Sequence, residues 1–164
     1  MPQYRGGMQY ASRRTTSTEK EANFVKSDEE EATTAAKVNL RVKGKVQTAI
    51  VNSEAATSII TKSLLDRLGL TIGRPSKLIV VTANGARTKS LGVATQVPIT
   101  IGKMNILTSF QVLESRDEIL ILGNEWLQKN QAIMNWKQST LILQDGQRIS
   151  RIPVTFTKTR KVEA

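Results

Sequence analysis

No cysteine and no histidine occur anywhere in the 164 residues. Disulfides, thiol catalysis, a histidine-based triad and the usual zinc sites are thereby excluded. From Gly44 to Gly146 the glycines are spread singly, so there is no glycine-rich loop to cradle a phosphate, and we expect no cofactor and no metal. Aromatic residues are scarce at 4%, which leaves Ile, Leu, Val and Ala to build the core. No apolar run reaches the roughly 18 residues of a membrane-spanning helix. The opening Met1-Pro2-Gln3-Tyr4-Arg5 lacks the apolar stretch of a signal peptide. These absences point to an intracellular, cytoplasmic chain with no membrane partner.

Charge is abundant and unevenly distributed. The formal net charge is +10. Residues 1–36 carry five basic and six acidic residues, residues 37–153 sixteen and seven, and residues 154–164 three and one. The first segment is polar, with the acid run Asp28-Glu29-Glu30-Glu31, and reads as a disordered linker. A folded domain is expected over 37–153, followed by a basic C-terminal tail over 154–164. The excess positive charge therefore sits on the domain. The basic residues come singly and without interleaved aromatics, as on a solvated basic surface, so nucleic acid is a partner with no motif to support it.

Within the domain the apolar residues keep strand period. Val38, Leu40 and Val42 alternate with polar residues, as do Val46, Thr48 and Ile50, with a turn at Lys43-Gly44-Lys45 between them. Ser63–Gly69 reads as a short helix stopped by its glycine. Leu78–Thr82 reads as a strand, and Asn84-Gly85 is a hairpin signal because both residues tolerate positive φ. Further strands are expected at 91–101, 106–113, 133–136, 141–143 and 149–154. Ile119–Leu122 is apolar on both faces and should be a buried strand. A second short helix follows, with Asn124 as its N-cap. Short strands, tight turns and one or two short helices make an all-β, closed barrel.

Three segments together carry a family resemblance. The first is Ala49-Ile50-Val51-Asn52-Ser53-Glu54-Ala55-Ala56-Thr57-Ser58, the second Val81-Thr82-Ala83-Asn84-Gly85-Ala86 followed by Ser90-Leu91-Gly92, and the third Ile119-Leu120-Ile121-Leu122-Gly123-Asn124-Glu125-Trp126-Leu127. In order and spacing they resemble the catalytic loop, the flap and the Gly-helix segment of retropepsin-like aspartic proteases from gypsy-type retrotransposon polyproteins. Ala132-Ile133-Met134-Asn135-Trp136 fits the same branch. The catalytic motif is degenerate: Asn52 stands where the family has Asp, and Glu54 where it has Gly.

The resemblance implies a retropepsin-like acid protease barrel. It implies a two-fold homodimer sharing one active site, a polypeptide in the cleft, and a flap over it at Ala83, Asn84 and Gly85. Two neighbouring carboxylates share a proton, one activating water and the other protonating the scissile carbonyl. Asn keeps the shape of Asp but has no proton to exchange in this range. Ser53 can keep the family's hydroxyl role. Glu54 is expected to resist the tight backbone turn of a glycine and to set like charges near the dimer axis, so the dimer is expected to be weak. The leading reading is an aspartic endopeptidase domain inactivated at Asn52 and Glu54. A non-catalytic dimerisation or peptide-binding module is the alternative, and a nucleic-acid-associated basic domain the third. Glu125 and Asp117 read as a helix first-turn acid and a solvated turn residue, Trp126 and Trp136 as packing residues.

Overall fold

The computed structural model describes residues 32–82 and 85–160. Strand β1 (Ala32–Val42) turns tightly into antiparallel β2 (Lys45–Val51), in register from Val42↔Lys45 to Ala36↔Val51. Both turn residues, Lys43 and Gly44, have positive φ, 53° and 80°. A two-residue turn of that hand matches the twist of the strands it joins. Val38, Leu40 and Val42 are buried, while Asn39 and Arg41 between them are exposed, so the period of two in the sequence is the two faces of the sheet.

Next come β3 (Ile59–Thr61), α1 (Lys62–Arg67), β4 (Ile79–Val81) and β5 (Arg87–Lys89). Two long strands follow, β6 (Gly92–Ile101) and β7 (Met104–Leu113), then β8 (Leu120–Leu122) and α2 (Asn124–Lys129). The chain finishes with β9 (Ile133–Asn135), β10 (Thr140–Asp145), β11 (Arg148–Pro153) and β12 (Thr155–Arg160). The main sheet runs β12-β1-β2-β8-β3-β7-β6, and β6 returns to pair with β1 at Arg41↔Thr100 and Val42↔Ile99. That last pairing closes six strands into a barrel and leaves β12 outside it as an edge. Strands β9–β11 form a small second sheet, and β4–β5 a separate two-stranded hairpin. The expected all-β barrel with two short helices is what the chain forms.

The main core joins the inner faces of β1, β6 and β7 to Leu64, Leu65, Trp126, Leu141, Leu143 and Ile152. Its aliphatic side chains each contribute roughly 1.5–3 kcal/mol when fully buried. Trp126, the one large aromatic besides Phe110 in this core, satisfies its indole N–H on Thr108 Oγ1 at 3.0 Å. Of the core or interface packing expected for Trp136, the core role is not what the fold gives it. It is 64% exposed and stacks on Phe156 with ring centroids 5.0 Å apart.

The ends of the domain also differ from expectation. Strand β1 begins at Ala32 rather than Lys37, and Thr155–Arg160, expected in the tail, is strand. The two stretches pair with each other, from Ala32↔Arg160 to Lys37↔Thr155. Their backbone hydrogen bonds come from that mutual pairing, which neither segment's polar composition signals. Residues 1–31 of the expected linker lie outside the described residues. Among the described residues no helix is long and apolar enough to cross a membrane.

Candidate functional site

Strand β2 delivers Asn52 to the end of the barrel. Parallel pairing with β8, Ile50↔Ile121 and Val51↔Leu122, sets its height, and the Asn52 N–H donates to the Leu122 carbonyl at 3.0 Å. The chain then reverses: the Ala55 N–H donates to the Asn52 carbonyl at 3.1 Å. Inside that turn the Glu54 N–H donates to Asn52 Oδ1 at 2.9 Å. Ala55 is fully buried beneath the loop, while Ser53 and Glu54 are exposed.

The segment after β8 holds this loop from below. The N–H groups of Asn124 and Glu125 donate to the carbonyls of Ala55 and Ala56 at 2.6 and 3.1 Å. Gly123 gives its own N–H to Ser58 Oγ at 3.0 Å. A Cβ on Gly123 would lie 2.3 Å from the Thr57 carbonyl oxygen and 2.8 Å from that of Ala55, so only glycine fits this approach. The N-cap of α2 is Gly123, with no side-chain cap, and Asn124 is the first helical residue. That corrects the expected Asn124 cap: the loop carbonyls satisfy the first N–H groups of the helix, and a capping side chain has nothing left to do. Glu125 does occupy the first turn of α2, and Thr57 Oγ1 donates to it at 3.4 Å. Asp117 is exposed, its N–H held by Ser115 Oγ at 3.0 Å.

Glu54 was expected to strain the turn, and it does not. Among the described residues the non-glycine positions with positive φ are Lys43, Gln96, Gln131 and Ser139. Position 54 therefore needs only a backbone N–H aimed at residue 52, which any residue but proline supplies. An aspartate at 52 would have its charged form stabilised by that N–H. Asn52 accepts the same bond through its amide oxygen but offers no titrating proton.

Facing the loop is the β4–β5 hairpin, in register Ile79↔Lys89, Val80↔Thr88 and Val81↔Arg87. Ala83 and Asn84, expected at its tip, lie outside the described residues. Gly85 has φ +88° and open space around it, and its N–H donates to the Thr82 carbonyl at 2.9 Å. At the base, Ser76 Oγ and Ser90 Oγ both donate to Gln111 Oε1, at 2.8 and 2.7 Å. One β7 side chain thus clamps both legs of the hairpin. Between hairpin and loop lies a second apolar cluster: Ala55, Ile59, Val80, Leu113 and Ile121. Asn52, Ser53, Glu54 and Gly85 had been picked from the sequence; this cluster and the Gln111 clamp had not. Val80 and Ile121 do sit in recognisable strands, but only the fold shows that they meet.

Two cavities adjoin the site. One of about 300 Å³ lies beside Ser53, lined by Val51, Leu127, Met134 and Trp136. The larger, about 530 Å³, runs between α2 and β7 and does not include Asn52. It is not the cleft, whatever its size. Among the described residues no group of three or more acidic side chains is placed to hold a metal.

Comparison with known proteins gives a consistent picture. A family model of the PEG10/RTL1 protease domain matches residues 48–151. The UBA domain-containing protein Mud1 of Schizosaccharomyces pombe is 28% identical over 104 residues, 63% of this chain and 31% of that protein. The protein DNA-DAMAGE INDUCIBLE 1 of Arabidopsis thaliana is 29% identical over 110 residues, 67% of this chain and 27% of that protein. The chain thus spans less than a third of the curated relatives it matches. In fold it is similar to the retroviral protease-like domain of Ddi1 from Leishmania major, with a TM-score of 0.60 and 22% identity, over 75% of this chain and 95% of that one.

Proposed function

This chain belongs to the PEG10/RTL1 protease domain family, and we propose on that premise that it is a retropepsin-like aspartic endopeptidase domain of a retrotransposon-type polyprotein lineage, with its peptide cleft kept and its proton chemistry switched off at Asn52. The observation that carries this is the 2.9 Å bond from the Glu54 N–H to Asn52 Oδ1, inside a loop whose backbone is also bonded at Asn52, Ala55 and Ala56. The cradle for a catalytic carboxylate is intact, and an amide sits in it.

Each chain supplies one such loop, so the reading calls for a two-fold homodimer joined at the loops and the chain ends. In that dimer two Asn52 side chains replace the pair of carboxylates that would share a proton. Losing a general acid–base alone costs about 10²–10⁴ in rate; here both partners are gone. A purely non-catalytic binding or dimerisation module is the second reading. The cavity beside Ser53 and the exposed Trp136 on Phe156 favour a surface made to be covered.

The test is a comparison of the native chain with Asn52→Asp, assayed on a library of proteome-derived peptides read by mass spectrometry. The native chain should cut nothing. The variant should cut beside apolar residues, with activity rising as pH falls towards the range where two neighbouring carboxylates share one proton. Equal cleavage by both chains would show that the chemistry does not pass through position 52.

A further inference from the structure

The end of the barrel away from the cleft carries a concentration of charge that the linear sequence hides. Three turns meet there. The β1–β2 turn presents Lys43, flanked by Arg41 and Lys45; the β6–β7 turn presents Lys103; the β10–β11 turn is followed by Arg148. All five side chains belong to exposed residues. The turns are joined physically as well as by topology. Arg41 is in register with Thr100 just before the β6–β7 turn, and Arg148 donates to the Lys103 carbonyl at 3.3 Å. The Lys103 N–H donates to Ser150 Oγ at 3.2 Å, and Gly102 packs so closely on β11 that a Cβ there would lie 2.3 Å from that oxygen.

Acidic counterparts are sparse. Among the described residues two ion pairs form, Lys62–Asp66 and Arg67–Glu118, both at 2.7 Å, and they use none of these five cations. Their hydrogen bonds go to carbonyl oxygens: Arg41 Nη1 to Gly44, Lys43 Nζ to Gly69, Arg148 Nη2 to Lys103. Asp145, across from Arg148 in the hairpin register, is the one carboxylate that these three turns contribute. Carbonyls orient the cations without neutralising them, so with Asp145 counted the three turns still carry an excess of positive charge.

We propose that this pole is a binding surface for the phosphate backbone of a nucleic-acid duplex, separate from the peptide cleft. The separation follows from β2, whose seven residues at about 3.3 Å each put the turns about 20 Å from Asn52. That is more than two screening lengths at physiological salt, so an occupant of the pole leaves the cleft free. A duplex suits the surface better than a single strand: no aromatic residue lies in or beside the three turns, and unpaired bases need such a platform. A duplex hides its bases and presents phosphates outward. Val46 and Ile149, exposed beside Lys45 and Arg148, offer no hydrogen-bonding group, and contacts from the cations to phosphates are the same in every sequence.

The test uses the full chain and a fluorescein-labelled 20-base-pair DNA duplex in an anisotropy titration over a salt series. If five cations engage phosphates, the slope of log K against log salt is about −4.5, an affinity loss of about 500-fold between 50 and 200 mM. The variant Lys43→Gln, Lys103→Gln, Arg148→Gln should show a slope near −1.8 and lose only about 12-fold over that range. Lys43→Gln with Lys45→Gln leaves the bond between the other two turns untouched and should give about −2.7, which separates charge loss from misfolding. Removing three cations from the opposite end, at Lys77, Arg87 and Lys89, should leave the slope unchanged. The proposal is overturned if the native chain does not bind the duplex at 50 mM salt, or if the Lys77, Arg87, Lys89 variant loses as much as the pole variant. Equal retention on vesicles of phosphatidylcholine with one-third phosphatidylserine would also overturn it, assigning the pole to a lipid surface instead.

Discussion

The Asn52 loop and the β4–β5 hairpin face each other across one apolar cluster, yet they are held in different ways. The loop is fixed by backbone bonds to β8 and to the first turn of α2, and by the close approach of Gly123. None of these involves the side chain at 52, which adds the one acceptor for the Glu54 N–H inside the turn. The hairpin pairs only with itself, an arrangement of marginal stability in water. Its attachment to the barrel is the buried Val80 and the two serine hydroxyls on Gln111. The loop is held from below along its length, and the described part of the hairpin is fastened at its base. Under the proposed function, that division suits a cleft that must admit an extended peptide.

The largest effect should come from the rigid half. Gly123→Ala forces backbone to give way beneath the loop and should lower stability by about 3 kcal/mol, read as the urea midpoint with the slope unchanged. A midpoint within error of native would mean that the loop is not held from below. In the hairpin, Gln111→Ala removes the shared acceptor of two hydroxyls. It should cost about 2 kcal/mol, and hydrogen exchange should speed up in residues 79–89 more than in 50–55. Uniform exchange changes would erase the contrast between the two regions.

Gly85→Val puts a β-branched residue at φ +88°. The cost is about 1–2 kcal/mol, confined to the hairpin, with peptide binding weakened and global stability little altered. Unchanged exchange and binding would show that the turn does not depend on that conformation. Smallest of all, Glu54→Gly should lower stability by about 0.5 kcal/mol. Glu54 already sits in an ordinary backbone conformation, and glycine adds only freedom to the unfolded chain. A gain in stability would restore the idea that glutamate strains this turn.

Much of the barrel was legible because its signals are local. The alternation of Val38, Leu40 and Val42 marks a half-buried strand, Lys43-Gly44 a tight turn, and Ile119–Leu122 a strand covered on both faces. The unread parts depend on contacts distant in sequence. Ala32-Thr33-Thr34-Ala35-Ala36 and Thr155-Phe156-Thr157 have little apolar pattern of their own and become strands by pairing with each other. The cap of α2 moved from Asn124 to Gly123 because carbonyls about 70 positions earlier in the chain took the helix N–H groups. At the candidate site, Asn52 and Ser53 were legible as a loop at a strand end. The backbone of Glu54 was misjudged, because a glycine's freedom was assumed where only its N–H is used. Gln111 gave no signal, since a glutamine in an alternating strand looks like any solvated residue.

Under our proposal the loop keeps the geometry of a catalytic loop and lacks only a titrating group at 52. Peptidase activity of the single variant Asn52→Asp tests this most directly, because Glu54 stays in place. This one change should turn on cleavage beside apolar residues at acidic pH, with Glu54→Gly adding little. An inactive Asn52→Asp chain that is folded and dimeric, and that becomes active only when Glu54→Gly is added, would show that the cradle was lost along with the carboxylate.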